Sequence, residues 1–114
     1  MTTNRLDGLD AKMTRDPVYN MRLLLDRLQN SGTVPEPNKY YVFVYTPKTK
    51  NIQYDQHPFI MSGSNYQWGF TGYNIHWGDS RRYTWAEMRT PLFEITEDEV
   101  DIVQNLPIAY FRNS

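Results

Sequence analysis

Apolar positions along the chain change period partway, first at helical spacing and then alternating or continuous, which predicts a helix followed by strands. Residues 1–15 hold scattered apolar side chains (Leu6, Leu9, Met13) around Gly8, and read as an irregular arm with at most one short helical turn. Asp16-Pro17 is a helix start, because Asp accepts from orphan amides and proline at the first position loses no hydrogen bond. Val18, Met21, Leu24, Leu25 and Leu28 follow at helical spacing, and Gly32 stands where a left-handed cap belongs; the helix is predicted over 17–30. The prolines of Thr33-Val-Pro-Glu-Pro37 make a stiff linker. Tyr40-Tyr-Val-Phe-Val-Tyr-Thr46 is a strand whose two faces are both expected to be covered.

Further strands are expected over Ile52–Met61, interrupted at His57-Pro58, and within Tyr66–Trp77, where Gly69 and Gly72 suggest a bend or bulge. Ser62-Gly-Ser-Asn65 reads as the turn between them, and Gly78-Asp-Ser80 as the end of the second. Thr84-Trp-Ala-Glu87 and Thr96-Glu-Asp-Glu99 both fit capping boxes, the second opening a helix through Val100, Val103 and Leu106. Leu92–Ile95 and Ile108–Phe111 are short strand candidates. The expected class is α+β, mostly β: a small bent antiparallel β-barrel of SH3-like or OB-like size, with short helical inserts. The expected organisation is 1–38 as arm, amphipathic helix and linker, and 39–114 as the barrel with a short C-terminal helix. On this reading the barrel folds without residues 1–15, and the helix packs either on its own sheet or on a neighbouring subunit.

Composition narrows the chemistry. Of the residues, 39% are hydrophobic and 15% aromatic, a profile of a small aromatic sheet more than of a helix bundle. The absence of cysteine excludes disulfides, thiolate metal sites and thiol nucleophiles. The longest apolar run, Tyr40–Tyr45, is far short of the ~20 residues of a membrane helix, and no apolar signal core opens the chain, so a soluble protein is expected. Net charge is −1, but residues 92–114 carry one basic and five acidic side chains. Glu97-Asp98-Glu99-Asp101 falls at a helix start, where the dipole favours it, and reads as a solvated face.

No reaction emerges from the motifs. Asp55-Gln-His57 on a strand would share a face, and with His76 it is the one grouping suited to a metal or a hydrolytic site; three converging ligands are not apparent. The plainer reading has His57 capping a turn and His76 hydrogen-bonded among aromatics. Ser62, Ser64 and Ser80 lie outside any nucleophile elbow, and Gly69-Phe-Thr-Gly72 opens no helix that would cradle a phosphate. The chain is read as a non-enzyme without cofactor or metal. Tyr45, Tyr54, Tyr66, Trp68, Tyr73 and Trp77 with Lys48, Lys50, Arg81 and Arg82 make a single-strand or DNA-end binding surface the alternative, weakened by the low net charge. Protein–protein contact accounts for the same aromatics.

Four segments carry a resemblance: Tyr40-Tyr-Val-Phe-Val-Tyr-Thr-Pro-Lys-Thr49, Gln53-Tyr-Asp-Gln-His-Pro-Phe59, Trp68-Gly-Phe-Thr-Gly-Tyr-Asn-Ile-His-Trp77 and Arg82-Tyr-Thr-Trp85. With Arg5-Leu-Asp-Gly-Leu9 and Met13-Thr-Arg-Asp-Pro-Val-Tyr-Asn-Met21, they resemble a family of small virion proteins of contractile-tailed viruses of marine cyanobacteria. Tyr54-Asp-x-x-Pro-Phe59 and Gly72-x-Asn-x-His76 more distantly resemble other small tailed-phage proteins. The resemblance implies a tail or baseplate component of the virion, assembled in the host cytoplasm, and brings no catalytic residues. Implied partners are other tail, baseplate or virion proteins and copies of the chain itself, with no membrane. The expected contact residues are Leu6, Leu9 and Met13 of the arm, Val18, Met21 and Leu25 of the helix, and Trp68 and Trp77 of the barrel.

Overall fold

A computed structural model describes residues 4–114; residues 1–3 of the expected arm lie outside the described residues. The helices are α1 (Pro17–Arg27) and α2 (Val100–Gln104). The strands are β1 (Ser31–Gly32), β2 (Tyr40–Val42), β3 (Gln53–Asp55), β4 (Phe59–Asn65), β5 (Gly69–Asn74), β6 (Asp79–Thr84), β7 (Leu92–Ile95) and β8 (Phe111–Asn113). Six of them form one antiparallel sheet in the order β1-β7-β2-β4-β5-β6, and β3 pairs with β8 in a separate two-stranded sheet. β1 and β6 are the two edges of the large sheet.

The strand at the centre explains the two cores. Side chains alternate along β2 and its irregular continuation, so Tyr40, Val42 and Val44 face one side while Tyr41, Phe43 and Tyr45 face the other. On the first side an aliphatic cluster forms from Val42, Phe59 and Ile95 with Met21, Leu24 and Leu28 of α1 and its C-cap, and with Val103, Leu106 and Ile108. On the second side Phe43, Tyr45, Phe70 and Tyr83 pack with Tyr41, Ile60 and Leu92. There Phe43 and Tyr45 each meet Tyr83 edge-on, at 5.2 and 5.0 Å between ring centroids. Edge-on pairs of this kind add to the stabilisation from burial alone.

The division at residue 38 is not a division of cores. Leu6 and Leu9, expected on a free arm, are 2% and 1% exposed and belong to the same aliphatic cluster as Val42 and Phe59. The arm is held there by charge. Arg5 donates to both carboxylate oxygens of Glu99 at 2.7 Å and to the Glu94 carbonyl at 3.0 Å. Arg27 of α1 donates to the Arg5 carbonyl. Glu99, expected on a solvated face, is therefore buried, while Glu97, Asp98 and Asp101 remain exposed. Asn20 seals the other end of the arm, its amide donating to the carbonyls of Thr14 and Pro107 at 2.8 Å each.

Local differences have local causes. Asp16 caps α1 by accepting from Val18 N–H, as expected, but the helix stops at Arg27 because Leu28 turns extended into the core. Gly32 is not a left-handed cap; it pairs with Leu92 in β1. Ser62–Asn65 is no turn but the bulged end of β4, with Ser62 buried and donating to the Glu36 and Lys39 carbonyls. The turn falls at Tyr66–Trp68, closed by mutual backbone bonds between Tyr66 and Gly69. A side chain at Gly69 would meet the Tyr83 carbonyl oxygen at 1.9 Å, so this close crossing requires glycine. Gly78, at φ +79°, turns the chain back into β6 instead of ending the strands. The capping box at Thr96–Glu99 forms; the one at Thr84–Glu87 does not, because the Glu87 carboxylate accepts from the Thr84 and Tyr45 hydroxyls.

Candidate functional site

Three places gather chemically distinctive side chains. The first is buried. Asp55, at the end of β3 and 2% exposed, accepts at Oδ1 from the backbone N–H groups of His57 (3.0 Å) and Tyr110 (3.2 Å). At Oδ2 it takes His76 Nδ1 at 2.6 Å and Asn74 Nδ2 at 3.4 Å. Burial pushes this carboxyl up, but the bonds from His76 and the two amides outweigh it and hold it below the ordinary carboxylate range. An ionised carboxylate only accepts, so His76 presents Nδ1–H to it. The Nε2 of His76 is buried without a hydrogen-bond partner. His57 donates Nδ1–H to the Ile108 carbonyl at 2.7 Å, and burial lowers its pKa, keeping it neutral.

Asp55, His57 and His76 do converge, as the sequence grouping suggested, but as the tie between the two sheets. Among the described residues no three His, Cys, Asp or Glu side chains can hold a metal ion. Ser62, a serine considered as a nucleophile, has its hydroxyl committed to backbone carbonyls. Half of a relay is present, an aspartate orienting a histidine, with no hydroxyl hydrogen-bonded to the histidine's far nitrogen.

The second place is a cavity of about 230 Å3 between β3, β6 and the loop after Tyr45. Tyr54, Asp55, Trp77, Arg81, Arg82 and Glu87 contribute to its wall. The Arg81 guanidinium lies 4.0 Å from the centre of the Trp77 ring, and Trp77 stacks on Phe111 at 5.0 Å with the planes 8° apart. Burial pushes the Glu87 carboxyl up, yet bonds from Thr84, Lys48 N–H and Tyr45 hold it below its usual range.

The third place is the end of the large sheet. At the β4–β5 turn Tyr66 and Trp68 stack at 5.1 Å with planes 5° apart, and they are 48% and 43% exposed. Trp85 bonds to both of their carbonyls, through Nε1 to Tyr66 and through N–H to Trp68. It then forms one wall of a groove of about 420 Å3 with Val34, Met88, Thr90 and Pro91, in which no charged side chain takes part.

Of the expected contact residues, Leu6, Leu9 and Met21 are spent in the core, and Met13 and Leu25 are half-buried against it. Val18 and Trp68 are exposed, and Trp77 is half-buried between Arg81 and Phe111. The structure therefore does not bring the eight together. The Arg5–Glu99 clamp, Asn20, Asn74 and the Phe111 stack went unseen in the sequence, where only the Leu6–Leu9 spacing hinted at a buried arm. No helix among the described residues is long and apolar enough to cross a membrane. The chain matches no protein-family model, no curated protein and no solved structure.

Proposed function

We propose that the protein is a non-enzymatic structural subunit of a contractile-tailed phage virion, a small tail or baseplate component that docks a neighbouring subunit through the sheet end bearing Tyr66 and Trp68. The bent sheet serves as a small barrel-like body of the SH3 or OB size. The setting rests on the sequence resemblance, and the partner surface rests on one observation: two stacked rings left half-exposed beside an uncharged groove. About half of each ring is left in water, and Tyr and Trp are side chains enriched among those that dominate interface energetics. The arm and most of the helix stripe, first expected to reach out, are already committed to the protein's own core. The occupant this surface fits is another protein subunit of the same particle, presenting apolar side chains.

The test replaces the chain in infected cells with Tyr66→Ala/Trp68→Ala and measures its content in purified particles. The variant is expected to be folded yet missing from particles. Incorporation at the normal level would overturn the assignment of this surface.

A further inference from the structure

We infer that the cavity beside the β6 edge is a binding site for single-stranded nucleic acid, with Arg81 and Arg82 taking phosphate and Phe111 offering a stacking face. The charge balance of the wall points this way. Its two carboxylates are already engaged: Asp55 by His76, Asn74 and two amides, and Glu87 by two hydroxyls and the Lys48 N–H. The arginines keep donors to spare. Arg81 gives only Nε, to Asp79 at 3.2 Å, and Arg82 is exposed with no ion-pair partner among the described residues. Pro47 and Thr49 complete the rim on a loop where Lys48 and Lys50 are exposed. With the exposed Lys48 and Lys50, the cavity and its rim carry Arg81, Arg82 and two lysines against Asp55, Glu87 and Asp79, a local positive excess on a chain whose net charge is −1.

Ring geometry selects the kind of anion. Arg81, Trp77 and Phe111 form a ladder of planar groups drawn from the β5–β6 hairpin and β8, and its outer member, Phe111, is 44% exposed. The next residue, Arg112, is exposed and sits 5.2 Å from the Tyr110 ring centre. Planar cations and rings in alternation are the means by which single strands are held, bases stacking on aromatic faces while the backbone follows positive charge. A carboxylate on a peptide would use the arginines and leave Phe111 idle. A duplex would hide its base faces and asks for a broader basic surface. The cavity is smaller than the ~300–1,000 Å3 of a cofactor site, and suits one nucleotide of a longer strand.

The site shares no residue with the surface assigned to subunit docking, so the two readings stand or fall separately. The test uses the full chain and fluorescence anisotropy of a labelled thymidine oligonucleotide at low and raised salt. Binding at ~50 mM salt is expected, weakening roughly tenfold at ~200 mM, as for two or three neutralised phosphates on a single strand. Arg82→Gln, at an exposed position, is expected to weaken it about fivefold or more with unchanged melting, and Phe111→Ala to weaken it as much with a melting loss of a few degrees from the lost Trp77 stack. Tyr66→Ala/Trp68→Ala is expected to bind as the parent does. Absence of binding at ~50 mM salt would overturn the proposal. So would equal affinity in the Arg82 and Phe111 variants, or displacement by polyglutamate as effective as by unlabelled oligonucleotide.

Discussion

Leu6 and Leu9 lie in an arm without strand or α-helix and are almost wholly buried, whereas Tyr66 and Trp68 lie at the turn of the β4–β5 hairpin and are half-exposed. Both pairs are apolar enough to look like core or like interface. What separates them is the polar frame around each. The arm is fixed by Arg5 on Glu99 and Arg27 on its backbone, and these bonds leave the leucines no direction but inward. The hairpin turn is closed by its own backbone, and Trp85 binds only its carbonyls, so the Tyr66 and Trp68 rings stay free. Irregular backbone is thus no guide to what is available for partners in this molecule.

The comparison breaks most violently if the arm is removed. Deleting residues 1–15 forfeits two buried leucines and the Arg5 bonds, a loss of roughly 5–9 kcal/mol against a typical total of ~5–15. Circular dichroism is expected to show a largely unfolded chain, the reverse of the outcome expected from sequence. Asp55→Asn comes next, at about 3–5 kcal/mol, because one change strips the charge from a buried acceptor serving both sheets; urea unfolding reads this directly. Arg5→Ala sharpens the account of the clamp. It should cost about 1.5–3 kcal/mol by the same measurement, with the leucines unaltered.

A pH titration of stability probes the buried polar tie. His57 is kept neutral in the folded state, so below about pH 6.5 the unfolded chain takes up a proton that the folded chain refuses. Stability is therefore expected to be full above that pH and to fall as pH drops toward the folded-state pKa. Asp55, Glu87 and Glu99, all held below their usual range, extend the loss at lower pH. Urea midpoints should hold from pH 8 to about pH 6.5 and fall from there to pH 4, and a midpoint that rises below pH 6 would contradict the assignment of His57. The smallest effect is at the turn, where Tyr66→Ala/Trp68→Ala should change stability by at most about 1 kcal/mol.

How far the sequence could be read follows from the range of the interactions involved. The Asp16-Pro17 start and the Thr96–Glu99 box are local patterns and are realised, and the strand expected over Tyr40–Thr46 forms at Tyr40–Val42 with both faces covered. β6 is not legible in the sequence, because this edge strand presents polar residues on both sides and Asp79-Ser-Arg-Arg has no apolar alternation. The arm's place in the core is not legible either, because its anchor joins Arg5 to a carboxylate 94 residues away and nothing in either neighbourhood marks the partner. The Asp55–His76 pair was visible as a grouping of residue types, but its purpose depends on Tyr110 and Asn74, which only the fold brings near. The Trp77–Phe111 stack was equally out of reach, since β8 meets β3 across more than half the chain.

The central claim is that the arm is core and the hairpin turn is surface. Thermal melting of Leu6→Ala beside Trp68→Ala tests it with one truncation in each region. Leu6→Ala should cost about 2–5 kcal/mol, which lowers the melting temperature by roughly 10 °C or more. Trp68→Ala, although it removes the larger side chain, should stay within about 4 °C of the parent. Equal losses, or the larger loss at Trp68, would contradict the account.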